Sequence, residues 1–320
     1  MRGRWRWAVA VVASVALLVG GLVLVQQLTT SPPEDSCVAR AGDGVVRLTP
    51  EQAKYASIIA AVGVRRSLPV RAVSIALATA WQESGLRNLD HGDRDSLGLF
   101  QQRPSQGWGT AEEVRDPVHA SNRFYDALTK IPGYREMPIT EAAQRVQLSG
   151  YPDAYADHEP DARLLSSALT GRQPGALTCT VHEPAEVDED ASLDDTGLTR
   201  RAAGVRRELE RAFGDLPLGG FAPEGVQTGH MASSAHYDGR AIDIFFRPVT
   251  DANRQRGWAV ASWLVANAGR LDVATVIFDD RIWRAGDRSS EGWRDYRVPA
   301  SSSGDPEILE HRDHVHVDVR

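Results

Sequence analysis

Ser234-Ala-His236-Tyr-Asp-Gly239-Arg-Ala241-Ile-Asp243 sets an imidazole and a carboxylate seven positions apart, with a glycine between them that allows a sharp turn into a strand. The C-terminal run Asp313-His314-Val315-His316 adds more imidazoles, so three of the chain's nine histidines fall within six residues. Two imidazoles and one carboxylate suit a zinc ion, Zn2+, with a fourth position open for water. An open zinc position points to hydrolysis, because the metal lowers the pKa of bound water toward about 7 and a nearby carboxylate then takes the proton.

The residues around this stretch read as an α+β domain over 199–320. A basic helix is expected over Thr199–Phe213, and strands at Ala241–Phe246, Ala274–Phe278 and Val315–Val319, with a helix over Asp251–Asn267 between the first two. Upstream, residues 180–197 hold seven acidic residues and no basic one, so 180–198 is expected to be a disordered linker. Residues 45–179 read as a mainly-α domain. Thr49-Pro50-Glu51-Gln52 is a capping box with proline at the first helical position, and Tyr55, Ile58, Ile59 and Val62 follow at helical spacing. A second helix is expected from Pro69 to Glu83, stopped by Gly85. Further helices are expected near 117–130, 139–148 and 160–170, and no strand before residue 180.

Trp7 to Val25 is a run of nineteen apolar and small residues, preceded by Arg2, Arg4 and Arg6. A bilayer core needs roughly 20 such residues in helix, and positive residues before the span stay cytoplasmic. The expectation is a cytoplasmic tail (1–6), an uncleaved transmembrane anchor (7–27) and a spacer (28–44), which places the C-terminal domains outside the cell membrane. A cleaved signal peptide is the rival, but no clear small-x-small site follows the run. On an exported chain the two cysteines, Cys37 and Cys179, are expected to form a disulfide. Closing so long a loop is worth roughly 5 kcal/mol in the chain-entropy account. The net charge of −7 argues against a nucleic-acid partner.

A second chemical pattern lies in the mainly-α region. Glu83 ends a largely apolar helix, where partial desolvation keeps a carboxyl protonated and able to donate to a glycosidic oxygen. The ordered series Glu83-Ser-Gly85, Gly98-Leu-Phe-Gln101, Asn122-Arg-Phe-Tyr-Asp-Ala-Leu128 and a Tyr-rich segment at 150–155 resembles the goose-type lysozyme and lytic transglycosylase superfamily over roughly 45–175. The resemblance implies a lysozyme-like fold, Glu83 as catalytic acid/base, and substrate contacts from Ser84, Gly98, Gln101 and Tyr151. Phe100 departs from the Met or small residue usual in that family. Asp93 and Asp95 are candidates for a second carboxylate.

The Ser-x-His-x-x-Gly-x-Ala-x-Asp stretch with its late acid-x-x-His is similar to the zinc D-Ala-D-Ala carboxypeptidase, dipeptidase and murein endopeptidase group. Asp243-Ile-Phe-Phe246 and Val276-Ile-Phe-Asp-Asp280 further resemble an exported actinobacterial subfamily. The resemblance implies His236, Asp243 and His316 as zinc ligands, Asp313 as general base, and His314 as a second catalytic histidine that steadies the oxyanion. Glu310 is the alternative base and His311 the alternative to His314. His91, His119, His158, His182 and His230 lack partners at ligand spacing. The four tryptophans 258, 263, 283 and 293 are expected in core or rim packing, and Asp279-Asp280 in a strand-end turn.

The two patterns converge on one polymer. The expected function is a membrane-anchored peptidoglycan-remodelling hydrolase that cuts or grips glycan with 45–179 and hydrolyses stem peptides with 199–320. The alternative is a non-catalytic wall-binding scaffold or sensor.

Overall fold

Thr49 opens the first helix as its capping box predicts. Its hydroxyl accepts from the Gln52 N–H at 3.2 Å, while the Gln52 side chain accepts from the Thr49 N–H at 3.0 Å. The computed structural model describes residues 35–151, 153–182, 192–231, 233–300 and 302–320. The expected anchor at 7–27 lies outside these residues.

In chain order the elements are β1 (Ser36–Ala41), β2 (Gly44–Leu48), α1 (Pro50–Arg65), α2 (Val70–Ser84), α3 (Ala111–Arg115), α4 (Pro117–Leu128), α5 (Ile139–Gln147), α6 (Glu159–Leu169) and β3 (Leu177–Thr180). Then come α7 (Arg200–Phe213), β4 (Leu218–Gly219), β5 (Ala241–Phe245), α8 (Asp251–Ala266), α9 (Ala268–Leu271), β6 (Val273–Phe278), β7 (Arg281–Arg284), β8 (Arg294–Asp295), α10 (Pro306–Leu309) and β9 (His314–Val319). The strands form two antiparallel sheets, ordered β2-β1-β3 and β4-β5-β9-β6-β7-β8.

The helices and the three expected C-terminal strands form within a residue or two of their expected limits. The small sheet was not expected. Cys37 and Cys179 face each other across β1 and β3 and form the expected disulfide, which closes a sequence separation of 142 residues.

Of the expected fold class, the division into a mainly-α domain and a separate α+β domain is corrected by two findings, while the expected transmembrane segment lies outside the described residues. Asp35–Arg320 forms one compact α+β unit. A three-stranded sheet belongs to the half expected to be mainly α. Among the described residues no helix is long and apolar enough to cross a membrane.

The physical reason for a single unit is α8. Its residues Gly257–Ala266 are all buried, as expected for a helix that is apolar on every side. It packs on β6 and β9 and against α1, α6 and β3 of the other half. Polar contacts seal the seam. Asn267 Nδ2 donates to Ser57 Oγ at 3.1 Å in a buried position, and Ser262 Oγ donates to the Ala168 carbonyl at 3.3 Å. The indole N–H of Trp283 donates to the Cys179 carbonyl at 3.1 Å. One apolar core therefore runs through both halves. Of the expected linker, residues 183–191 lie outside the description, and its flanks are ordered. Val181 is buried, and Asp194 Oδ1 accepts from the Thr196 and Leu198 N–H groups.

Candidate metal centre

β5 and β9 pair with Asp243 opposite His316 and Phe245 opposite His314. Side chains alternate faces along a strand, so these four share one face of the sheet. The other face carries Ile242, Ile244, Val315, Val317 and Val319, all buried. The alternation of polar and apolar residues in the two strands is thus a division between a chemical face and a core face.

His236 reaches that face from the single turn Ala235–Asp238, which Ser234 caps and Gly239 ends at φ 66°. His236 Nε2 lies 3.2 Å from Asp243 Oδ1 and 3.1 Å from His316 Nδ1, and His316 Nδ1 lies 3.1 Å from Asp243 Oδ1. A tetrahedral ion with bonds of about 2.0–2.1 Å separates its ligands by roughly 3.3–3.4 Å. The triangle is within a few tenths of an ångström of that spacing, and its three donors leave a fourth direction open.

The outer nitrogens support the same fit. His236 Nδ1 donates to the Gly220 carbonyl at 2.6 Å, which turns Nε2 toward the centre. His316 Nε2 donates to Asp318 Oδ2 at 3.4 Å, which turns Nδ1 the same way. Metal-bound histidines are oriented by such partners. Gly220 is itself required: at φ +78° a Cβ would stand 2.3 Å from His236 Cε1 and 3.0 Å from Asp243 Oδ2.

The electrostatics follow from burial and close pairing. Burial opposes the charge on Asp243, but hydrogen bonds from His236 and His316 outweigh it and hold the carboxyl far below the usual range. Burial likewise opposes charge on His316, yet Asp243 and then Asp318 raise it to about 9. Without a cation the centre therefore holds a proton where a metal would sit.

His230 belongs here as well, contrary to its dismissal on spacing. Its ring stacks on His236 with centroids 3.9 Å apart, and its donor atom and those of His236 and Asp243 all lie within 4.8 Å of one another. Burial and then the neighbouring His236 lower its pKa. It sits in the loop before the His236 turn, where no helical or strand period announces a ligand.

Asp313, the expected general base, has a partner on each carboxylate oxygen. Its Oδ1 accepts from His314 Nδ1 and its Oδ2 from Arg247 Nε, both at 2.6 Å. Both oxygens are engaged, and the carboxylate orients His314, whose Nε2 lies 3.8 Å from Asp243 Oδ1. Glu310 accepts from Arg312 Nε at 2.6 Å. His311 packs on the rings of His314 and His316, and burial lowers it to about 3.

The Glu83 region is built differently. Glu83 lies in the last turn of α2 and accepts from Tyr155 Oη at 2.7 Å. Burial and then the Glu83 carboxylate push Tyr155 far above its ordinary value, which keeps its hydroxyl a donor. Tyr151, the expected contact, is 78% exposed. Ser84 is buried and its hydroxyl lies within hydrogen-bond distance of the Ala80 and Leu99 carbonyls, so it ties the helix end to the Gly98 loop. Gly98 passes close to Val114, whose carbonyl oxygen would lie 2.3 Å from a Cβ. Gln101 donates to the Gly98 carbonyl at 3.2 Å. Asp95 is held well below the usual carboxylate range by the Ser105 N–H and Arg103, and it braces the loop.

Residues 194–306 match the family described as VldE, C-terminal domain. The matched span includes His230, His236 and Asp243 and ends before Asp313, His314 and His316. No curated protein matches the chain.

Proposed function

We propose that the protein is a zinc-dependent hydrolase of peptidoglycan stem peptides, with a glycan-contacting region at Glu83. The observation that carries this reading is the triangle of His236 Nε2, Asp243 Oδ1 and His316 Nδ1, with edges of 3.1–3.2 Å and both outer imidazole nitrogens anchored. Two imidazole nitrogens and one carboxylate with a vacant direction are the donor set of hydrolytic zinc. Zinc so held supplies a Lewis acid and a water of lowered pKa.

The remaining work falls to the chain. His314 has Nδ1–H fixed on Asp313, so its Nε2 carries the lone pair and faces the centre. It accepts a proton from the attacking water and returns it to the leaving amine. Asp313 holds the imidazole in that tautomer and balances its charge, and Arg247 fixes Asp313 from behind. A cavity of about 360 Å³ lined by Phe245, Arg247 and Arg256 adjoins this pair and offers room for a peptide. At the other end Glu83 and Tyr155 form a hydrogen-bonded pair suited to a glycan strand.

The test is incubation of the full chain with purified peptidoglycan and zinc, followed by mass spectrometry of the fragments. Cleaved stem peptides are expected from the wild type and from Glu83→Gln, and none from His236→Ala. Intact peptides with every variant reject the hydrolase. The engagement of both Asp313 oxygens favours one second reading, a non-catalytic wall-binding scaffold. That reading predicts sedimentation with peptidoglycan, unaltered by either substitution and without fragments.

A further inference from the structure

A side chain, rather than a helix or strand, delivers His230 to the candidate metal centre. His230 lies in the loop between β4 and the turn Ala235–Asp238, flanked by exposed Gly229 and Met231. Tyr237 Oη donates to the His230 carbonyl at 2.6 Å and accepts from the His230 N–H at 3.1 Å. One phenol thus satisfies both backbone polar groups of a residue that no sheet ladder serves. Tyr237 belongs to the same turn as His236, so the two imidazoles are positioned by one short unit.

The ring of His230 is differently placed from its neighbours. His236, His314 and His316 each have an outer nitrogen anchored, on the Gly220 carbonyl, Asp313 and Asp318 respectively. Among the described residues the hydrogen bonds of His230 are the two through its backbone, so neither ring nitrogen is engaged. One of those nitrogens nevertheless lies within 4.8 Å of donor atoms of both His236 and Asp243.

Stacking decides what that nitrogen suits. The His230 and His236 rings lie 3.9 Å apart between centroids and 22° from parallel. An imidazole holds an ion in its own ring plane, where the nitrogen lone pair points. An ion in the plane of the His236 ring is therefore out of the plane of the His230 ring. The His230 nitrogen is set to meet an atom beside the ion rather than the ion.

We propose that His230 is a catalytic residue that donates its ring N–H to the carbonyl oxygen of the scissile peptide. This rests on the hydrolase reading above, in which His314 is committed to carrying the proton. As the water oxygen bonds to the carbonyl carbon, the π pair moves onto the carbonyl oxygen and the hydrogen bond from His230 strengthens. The pair returns as the C–N bond breaks, and the amine leaves with the proton from His314. A donor placed where charge develops contributes about 100-fold or more to kcat.

The full chain loaded with zinc is titrated by calorimetry with the phosphinate analogue of D-Ala-D-Ala, whose anionic tetrahedral centre mimics the addition species, and with D-Ala-D-Ala itself. The wild type is expected to bind the phosphinate at least about tenfold more tightly than the dipeptide. His230→Phe keeps a ring on His236 without the N–H. It loses that preference and about 100-fold in kcat, while KM and zinc affinity, read by chelator competition, hold within about twofold. His230→Gln keeps a donor and recovers part of both losses. Should His230→Phe fail to fold, Tyr237→Phe, which leaves the imidazole but unpins it, shows the same pattern with a smaller loss. Phosphinate preference retained by His230→Phe, or absent from the wild type, overturns the inference. So does a fall in zinc affinity in step with phosphinate affinity, which makes His230 a ligand. Stem peptides left intact by the wild type reject the hydrolase and this inference with it. Stem peptides cut, with phosphinate binding indifferent to His230→Phe, reject this inference alone.

Discussion

The candidate metal centre and the Glu83 region differ in how many constraints fix each chemical group. At the metal centre, Asp243 and His316 are cross-strand neighbours, and His236 is locked by a capped turn and by Gly220. Both imidazoles there are oriented by an outer contact, His236 by the Gly220 carbonyl and His316 by Asp318. Glu83 sits at a helix end with, among the described residues, one hydrogen-bond partner, Tyr155. A group over-determined by its surroundings is a site whose geometry survives without a ligand. A group with a single partner takes its working geometry from what binds it. The first region therefore carries the functional reading, and the second extends it.

The largest expected effect follows from that contrast. His236→Ala or Asp243→Ala removes a ligand, and Gly220→Ala drives a methyl into His236 and Asp243. Each lowers zinc affinity by more than about 100-fold, beyond the range for loss of an orienting partner. Glu83→Gln leaves zinc affinity unchanged. Equilibrium competition with a chelator measures both.

Next in size is the disulfide. Cys37→Ser with Cys179→Ser lowers stability by about 2–5 kcal/mol, read by denaturant unfolding. Because one core spans both halves, tryptophan fluorescence and far-UV circular dichroism still report a single shared transition. Two separate transitions contradict the shared core.

A smaller effect is expected from Asp318→Asn. It loosens His316 and weakens zinc binding about 10–100-fold without removing a ligand.

The pH dependence separates the metal-free state from the loaded one. His316 is raised from 6.5 to about 9 by Asp243 and Asp318 against the opposing effect of burial. Without metal, this pairing contributes stability that is fully present below about pH 6.5 and is lost as pH rises through about 9. Zinc must displace that proton, so its affinity rises about tenfold per pH unit up to about pH 9. Thermal unfolding with and without zinc across this range checks both signs. The smallest effect concerns the other region: Tyr155→Phe weakens glycan binding about threefold to tenfold, whereas Tyr151→Phe, at an exposed position, changes nothing.

What could be read from the sequence followed local chemistry. Thr49, Pro50 and Gln52 announce α1 because a capping box is complete within four residues. The apolar runs Ala241–Phe246 and Val315–Val319 announce β5 and β9, and the resemblance to the zinc peptidase group named His236, Asp243 and His316 as one ligand set, three side chains that the structure brings together. The small sheet escaped because β3 is four residues long and pairs with β1 across 142 positions, a contact no local period encodes. The two-domain expectation failed for the same reason. The acidic stretch marks a polar passage, but the seam made by α8 is visible only in packing. His230 escaped because loop geometry, rather than spacing, delivers it to His236. The engagement of Asp313 by Arg247, a partner 66 residues away, was likewise invisible to local spacing.

The most direct measurement is the X-ray absorption spectrum of the full chain loaded with one equivalent of zinc. The expected first shell holds two imidazole nitrogens and two or three oxygens at about 2.0–2.2 Å, and it loses one imidazole in His316→Ala. A shell made up only of water and carboxylate oxygens, or one unchanged in His316→Ala and His236→Ala, contradicts a metal centre on β5 and β9.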